Sequence, residues 1–135
     1  TSFDFKVIEI EHGEENKTIR SCEKVWATLS DFGGDRKSLL INLGGGVITD
    51  IGGFIASTFK RGIDFINIPT TLLSMVDASI GGKVGINVEK LKNQVGVFNY
   101  PKLILIDTSF LRTLPKYNLT NHEIPTLKPY GKRRP

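Results

Sequence analysis

Apolar residues recur every three or four positions in three stretches of the chain, which predicts three helices. The first covers residues 15–32, and the pair Gly33-Gly34 is expected to end it. Its one buried stripe is predicted to contain Ile19, Cys22, Val25 or Trp26, Leu29 and Phe32. The second covers residues 48–60. The third covers residues 70–80, with a predicted apolar side made of Leu72, Leu73, Val76 and Ile80.

Short apolar runs between these helices predict strands. They are residues 38–43, 64–68 and 103–106. Nearly continuous apolar runs are typical of parallel strands that are covered on both faces. Strands that alternate with helices predict an α/β fold, a Rossmann-like doubly wound parallel sheet with right-handed crossovers.

Two other segments have weaker patterns. Residues 3–10 alternate loosely between apolar and polar side chains, which predicts one more strand. Residues 81–93 contain glycine, lysine and asparagine in an irregular order, which predicts mostly loop with a short hairpin around residues 84–88.

Glycine and hydroxyl residues follow the predicted strands. The glycine run 44–46, the pair Thr70-Thr71 and Asp107 would all gather at the edge where parallel strands end, which is where ligands bind in such sheets. A strand–glycine–helix junction exposes N–H groups that favour a pyrophosphate, although the spacing is neither Gly-x-Gly-x-x-Gly nor a P-loop. The alternative is a tight turn without a ligand.

Several side chains near this edge are open to two interpretations, a contact with a ligand or an ordinary structural role. Asp50 is placed to accept hydrogen bonds from a ribose hydroxyl, or it is a solvated helix residue. Thr70 and Thr71 either contact a ligand or cap the next helix. Asp77 lies among apolar neighbours in the sequence, where a carboxylate needs a partner or a function. The cations Arg61, Lys83 and Lys92 are suited to a phosphate or are ordinary surface charges.

Charge and composition restrict the possible partners. The 13 basic and 13 acidic side chains of residues 1–115 balance, so the net charge of +4 comes from residues 116–135. This distribution argues against a nucleic-acid interface, which needs a basic stripe on the folded body. No apolar run is long enough to span a membrane. The single cysteine, Cys22, forms no internal disulfide and fits a cytoplasmic protein, while His12 and His122 predict no metal site.

The spaced motifs together resemble 3-dehydroquinate synthase, in register from about residue 13 to residue 115. The matching motifs are Gly13-Glu14-x-x-Lys17, Gly44-Gly45-Gly46-Val47-Ile48-x-Asp50, Gly53-Phe54-x-Ala56, Arg61-Gly62, Pro69-Thr70-Thr71-Leu72-Leu73, Val76-Asp77-x-Ser79-x-Gly81-Gly82-Lys83, Asn87, Lys92-Asn93 and Thr113-Leu114-Pro115. The resemblance implies an NAD- and metal-dependent lyase of the shikimate pathway. It would convert the sugar phosphate DAHP into 3-dehydroquinate and phosphate, as a homodimer with Zn²⁺ or Co²⁺.

The resemblance also implies roles for individual residues. Glu14 and Lys17 correspond to contacts with the adenosine part of NAD, and Asp50 to a ribose contact. The pyrophosphate turn corresponds to Gly45, Gly46 and Val47, and further NAD positions are Thr70, Thr71, Lys83, Lys92, Asn93, Phe110 and Thr113. Asp77 and Lys83 correspond to residues at the substrate and nicotinamide. Arg61 corresponds to a residue that reaches the substrate phosphate of a neighbouring subunit.

The chain departs from the family pattern after Pro115. We expect residues 1–115 to be an NAD-binding Rossmann-like domain that is incomplete at its N-terminus, and residues 116–135 to be a basic, proline-containing tail without the family's metal ligands. The isolated chain is then expected to be inactive. The alternatives are another sugar-phosphate cyclase, an iron-dependent or glycerol-type dehydrogenase, and a non-catalytic NAD-binding fragment.

Overall fold

The computed structural model of the chain describes residues 3–115, which form an α/β structure. Its helices are α1 (Ile19–Asp31) and α2 (Gly46–Thr58). Its strands are β1 (Leu39–Gly44), β2 (Asp64–Pro69), β3 (Lys83–Val88), β4 (Leu91–Phe98) and β5 (Leu103–Ile104). Three short 3₁₀ segments, Glu14–Asn16, Phe59–Arg61 and Thr108–Thr113, and one π-helical turn, Ser74–Ala78, complete the described elements.

Three strands form the predicted parallel sheet in the order β1-β2-β5. The amide of Thr70 donates to the carbonyl of Gly44 over 2.9 Å, so the carboxyl ends of β1 and β2 lie together. The α/β class and the gathering of strand ends at one edge are therefore confirmed.

The helix α1 begins and ends where local chemistry dictates. The Thr18 side chain accepts from the Ser21 amide and caps the first turn, so the helix starts four residues later than the pattern predicts. Gly33 has a φ of 84°, a left-handed conformation that glycine adopts readily, and it ends the helix as predicted.

The antiparallel pair β3-β4 packs against α2. A Cβ on Gly53 would overlap the side chain of Val84, so this contact requires glycine at the helix surface. The main apolar core joins α1, α2 and β3, and consists of Cys22, Val25, Ile51, Phe54, Ile55, Val84 and Ile86.

The expectation of mostly loop over residues 81–93 is wrong, because β3 and β4 form a long hairpin here. Val84 and Ile86 alternate inward and are buried on α2, while β4 is exposed along its whole length. The exposed strand is held by pairing with β3 rather than by burial, and its first half, Lys92 to Gln94, is polar and irregular.

The strand predicted over residues 3–10 is also wrong. This segment makes no backbone hydrogen bond to another part of the described chain, and a strand needs a hydrogen-bonding neighbour. Ile8 and Ile10 pack against the core, while Phe3, Phe5 and Val7 are exposed.

The sheet is covered on one face only within residues 3–115, contrary to the expectation for β1 and β5. Leu39, Ile41 and Leu43 alternate on the open face of β1 and are about half exposed, as is Leu103 on β5. In the register of the sheet, Ile41 lies beside Ile66, and Ile66 beside Leu103. An apolar row therefore crosses all three strands on this face.

The helix predicted over residues 70–80 is present over residues 72–78, and it is α-helical only at its start and π-helical from residue 74. The Ser79 amide donates to the Ser74 carbonyl over 3.0 Å, five residues back, which is the π-helical pattern. Because this spacing rotates the side chains, the predicted apolar side is wrong: Val76 and Ile80 are exposed, whereas Ser74 and Ser79 are buried. No helix among residues 3–115 has the length and apolarity to cross a membrane.

Burial raises the pKa of the Cys22 thiol from its ordinary 9.0 to about 12. We expect Cys22 to resist an aromatic disulfide reagent in the native protein at about pH 8, and to react rapidly once the chain is unfolded in guanidinium. The pKa of Cys22 is higher in the folded state than in the unfolded state, so the thiol of the unfolded chain ionises first as the pH rises. The free energy of unfolding is therefore unaffected below pH 9 and decreases as the pH rises toward about 12. Equal reaction rates for native and unfolded protein would contradict the burial of Cys22.

Candidate functional site

A buried lysine joins three separate parts of the chain. Lys17 is 3% exposed, and its Nζ donates to Asp50 Oδ2 over 2.8 Å and to Asn93 Oδ1 over 2.6 Å. Glu14 Oε1 lies 3.6 Å from the same ammonium. A buried ammonium needs partners for its charge and its three protons, and these oxygens supply them. The sequence places the three partners 3, 33 and 76 residues from Lys17.

The hairpin closes this cluster through Asn87. Its side-chain amide donates to the carbonyl and carboxylate oxygens of Glu14 over 3.2 and 3.1 Å, and its Oδ1 accepts from the Asn93 amide over 2.9 Å. We call Glu14, Lys17, Asp50, Asn87 and Asn93 the polar cluster. Four of its members are predicted cofactor contacts, and the structure brings them together.

Burial raises the pKa of Asp50, and the hydrogen bond and charge of Lys17 only partly offset this effect. The negative charges of Glu14 and Asp77 raise it slightly further. The carboxylate is therefore held at some cost in a partly dry position. A group that replaces lost water with good donors, such as a sugar diol, would interact strongly with it.

The glycine turn lies at the N-terminus of α2, one helical turn before Asp50. Gly45 is the capping residue and no side chain caps it, and the first helical bond runs from the Thr49 amide to the Gly45 carbonyl over 3.0 Å. The amides of residues 46–48 thus precede the first available helical acceptor. Such a helix start attracts anions through its N–H groups and its dipole.

Thr71 caps the following turn, the second of the two roles considered for this residue. Its Oγ1 accepts from the Ser74 amide over 3.2 Å and donates to Ser74 Oγ over 2.8 Å. Its methyl group also lies against Gly45, where an added Cβ would come within 3.0 Å. Thr71 therefore packs against the glycine turn and leaves no room for a side chain at Gly45. Thr70 lies beside it, and its backbone amide is engaged by Gly44.

A buried polar chain holds the π-helical turn on the sheet. Asn42 on β1 donates to Asn67 on β2 over 3.0 Å, and Asn67 donates to the Ser79 carbonyl over 3.1 Å. Both asparagines are nearly fully buried, and Gly52 makes room for Asn42, since a Cβ there would overlap its amide. The π-helical turn in turn places Ala78 3.5 Å from a Cβ built on Gly46.

The reason given for Asp77 from its sequence neighbours is wrong. Asp77 is exposed on the π-helical turn, as are its neighbours Val76 and Ile80, so the carboxylate is not forced to find a buried partner. It lies near enough to Asp50 to raise the pKa of that residue. Lys83, at the start of β3, is also exposed.

Arg61 lies away from the other predicted residues of this chain. It follows the C-terminal end of α2, and a helix of 13 residues is about 20 Å long. Lys60, Arg61 and Gly62 have consecutive positive φ values of 49°, 69° and 117°, an uncommon conformation for residues with side chains. Within one chain, Arg61 is not part of the edge that contains the glycine turn.

The remaining predicted cofactor residues lie at the rim. Lys92 is exposed beside Asn93, whose φ of 54° is also left-handed. Phe110 and Thr113 lie on the 3₁₀ segment after β5, and Thr113 donates to the Phe110 carbonyl over 3.2 Å. The described residues show no hydrogen bond between this segment and the polar cluster.

Residues 3–115 do not fit a Zn²⁺ or Co²⁺ ion, because no three His, Cys, Asp or Glu side chains in this part of the chain come together as ligands. His122 and Glu123, and the tail predicted over residues 116–135, lie outside the described residues. Sequence reasoning gave no role to Asn42 or Asn67, and noted Asn87 only as a motif residue. Two asparagines in apolar strand runs, 25 residues apart, were the available signal for the first pair.

The chain was compared with protein families and curated relatives. The family described as 3-dehydroquinate synthase N-terminal matches residues 7–121. The 3-dehydroquinate synthase of Parabacteroides distasonis is 54% identical over 113 residues, covering 84% of this chain and 32% of that protein. The enzyme of the same name from Pyrococcus abyssi is 54% identical over 121 residues, covering 90% of this chain and 36% of that protein.

Solved structures agree with this result. A 2-epi-5-epi-valiolone synthase from Streptomyces hygroscopicus, with NAD⁺ and Zn²⁺ bound, has a TM-score of 0.78 and 39% identity over 82% of this chain and 31% of that one. A 2-deoxy-scyllo-inosose synthase complexed with carbaglucose-6-phosphate, NAD⁺ and Co²⁺ has a TM-score of 0.77 and 29% identity, covering 81% and 30%. A probable glycerol dehydrogenase from Sinorhizobium meliloti, at 19% identity and a TM-score of 0.62, shares the fold. The chain spans about a third of the length of these relatives.

We expect Lys17→Met to lower the free energy of unfolding by about 3 kcal/mol, because it leaves the Asp50 carboxylate partly buried without its cation. Urea denaturation followed by circular dichroism measures this loss. The matched control is Lys24→Met, which removes an exposed ammonium from α1 and should change the stability by less than about 0.5 kcal/mol. Equal effects of the two substitutions would show that Lys17 does not hold the cluster together.

Proposed function

The chain belongs to the 3-dehydroquinate synthase family, and from that premise we propose that residues 1–115 form an NAD-binding Rossmann-like domain of such an enzyme. The proposal rests chiefly on one observation, that the polar cluster lies one helical turn from the uncapped N-terminus of α2. NAD offers complementary groups at a similar spacing, a pyrophosphate and a ribose diol. The helix start suits the pyrophosphate, and the Asp50 carboxylate suits the diol.

We assign the nucleotide contacts as follows. Gly45, Gly46 and Val47 bind the pyrophosphate, Asp50 binds a ribose, and Glu14 and Lys17 border the adenosine. The Lys17 ammonium donates hydrogen bonds to Asp50 and Asn93, so it acts mainly by holding these residues in place. Further contacts come from Thr70, Thr71, Lys83, Lys92, Asn93, Phe110 and Thr113.

For the full-length enzyme we propose the conversion of DAHP to 3-dehydroquinate and phosphate. Bound NAD⁺ supplies transient oxidation of a ring hydroxyl, which makes a neighbouring proton acidic. Asp77 is exposed on the π-helical turn, whose Ala78 lies against Gly46, and Lys83 is exposed at the start of β3, so solvent reaches both side chains. Arg61 lies at the other end of α2, which agrees with a role toward the substrate phosphate of a second subunit.

Other properties of the whole enzyme follow from family membership as proposals. They are a requirement for Zn²⁺ or Co²⁺ bound by residues outside 3–115, a homodimeric state and a cytoplasmic location. Partners other than the sugar phosphate, such as nucleic acid or a membrane, are not expected. The described residues alone offer no metal site, so we expect no dehydroquinate formation from them by themselves.

A second candidate is another sugar-phosphate cyclase activity, favoured by the TM-scores of 0.78 and 0.77 with two such enzymes. Both candidates use the same NAD-binding arrangement. The substrate would be distinguished by residues outside this chain. An assay of the full-length enzyme with DAHP would separate the candidates, because only the first predicts that 3-dehydroquinate and phosphate form. A chain that binds NAD without turnover would be a non-catalytic NAD-binding fragment.

We expect Asp50→Ala to weaken NAD binding by about tenfold, since a hydrogen bond to a charged group is lost from the ribose site. Isothermal titration calorimetry measures the affinity. Asp31→Ala, which removes an exposed carboxylate at the end of α1, serves as the control and should leave the affinity unchanged. Asp50→Asn keeps an acceptor for Lys17 and separates a binding effect from loss of the fold. Unchanged NAD affinity in both Asp50 variants would contradict the ribose assignment.

Gly46→Ala tests the pyrophosphate site separately. A Cβ at Gly46 meets only Ala78, at an ordinary 3.5 Å, so the variant should fold with unchanged or slightly higher stability. The methyl group would enter the space in which the pyrophosphate approaches the backbone, and we expect an affinity about tenfold lower. Thermal unfolding and NAD titration together measure both effects. Full affinity in Gly46→Ala would show that the phosphates do not bind at this turn.

A further inference from the structure

A β-bulge interrupts the hairpin where it meets the polar cluster. The ladder between β3 and β4 is regular from Lys83 to Ile86 and shifts its register between Ile86 and Val88. One residue of β3, Asn87, therefore faces three residues of β4, 92–94, and has no backbone ladder partner among them. Bulges turn a side chain away from its regular direction and are common beside functional sites. Here the bulge frees both the backbone amide and the side chain of Asn87.

The freed groups of Asn87 make four contacts with two segments. Its backbone amide donates to the Lys17 carbonyl over 2.9 Å, and its side-chain amide donates to the Glu14 carbonyl and carboxylate. Its Oδ1 accepts from the Asn93 amide. One residue therefore fixes the Glu14–Asn16 turn on one side and the start of β4 on the other.

This arrangement places Asn93 in the conformation that Lys17 requires. Asn93 has a φ of 54°, which costs energy for a residue with a side chain, and the bond from its amide to Asn87 helps to hold it there. In that conformation its Oδ1 accepts from Lys17, whose remaining protons reach Asp50. The position of Asp50 thus depends on Asn87 through two intermediate residues.

We propose that Asn87 is a positioning residue that assembles the NAD site before the cofactor binds. The inference rests on the proposed function, because it assumes that Glu14, Asp50 and Asn93 contact NAD. Asn87 itself uses its polar atoms on the protein, so it acts through these residues. Its role is to keep the ribose-side groups in one arrangement, so that binding does not have to order them.

The test compares Asn87→Ala with a matched control in the same hairpin. Asn99 is the residue directly after β4. Its side chain donates to Ser57 Oγ on α2 over 2.8 Å, away from the polar cluster. Both alanine variants lose polar contacts between the hairpin and its neighbours. We expect Asn87→Ala to bind NAD about tenfold more weakly, and Asn99→Ala to retain its affinity within about twofold, at a temperature where all variants are folded.

Hydrogen exchange gives a second readout that a general loss of stability would not reproduce. The Asn93 amide should be protected in the unmodified chain and lose that protection selectively in Asn87→Ala. Asn87→Asp keeps the acceptor for this amide but loses the donor to Glu14 and adds a negative charge beside it. It should therefore retain the protection of Asn93 while binding NAD more weakly than the unmodified chain, and it supplies the test if the alanine variant does not fold.

The outcomes separate the two proposals. If the unmodified chain does not bind NAD, the proposed function fails, and the positioning role fails with it. If the unmodified chain binds NAD and both Asn87 variants bind it equally well, only the positioning role is overturned. An equal loss of affinity in Asn99→Ala would also overturn it, because the effect would then be a general one of hairpin docking.

Discussion

The burial of one ammonium group is the constraint on which the rest of the site depends. Lys17 loses nearly all of its water, so oxygen atoms must surround its Nζ. The chain supplies them from the turn before α1, from the first turns of α2 and from the start of β4. These elements are distant in sequence, and satisfying one charge fixes their relative positions. The same requirement leaves Asp50 beside the glycine turn, where a nucleotide can reach it.

Buried amides perform the equivalent task within the sheet. Asn42 and Asn67 lie in strands whose other inward positions are apolar, and they bond to each other and to Ser79. Each amide left without its partner would carry a desolvation cost of about 1–3 kcal/mol, so the pair favours a single register between β1 and β2. The chain of bonds ends at the π-helical turn, which carries Asp77. The core of the sheet thereby determines where the exposed edge residues lie.

The sequence pattern predicted the elements whose burial follows a simple period. It located α2 and the parallel strands within about two residues, and it placed the strand ends, with their glycine and threonine residues, at one edge. It failed where a distant partner decides the structure. Residues 3–10 alternate like a strand but form no backbone hydrogen bond with another segment of residues 3–115, and β4 begins with a polar, irregular run but pairs with β3. At residues 74–78 the π-helical spacing moved serines inward and left Val76 outside.

The site residues also divide into those that a sequence motif identifies and those that only the folded structure identifies. Motif resemblance selected Glu14, Lys17, Asp50 and Asn93 as separate contacts, and nothing in their spacing showed that they bond to each other. Asn87 connects them, yet a lone asparagine in a β-branched run is a weak signal. Its importance comes from a bulge and from a left-handed residue, Asn93, both of which are properties of the folded backbone. Side chains that contact a ligand are selected for their chemistry and are visible in a motif. Side chains that position them are selected for geometry, so they become identifiable only once the fold is known.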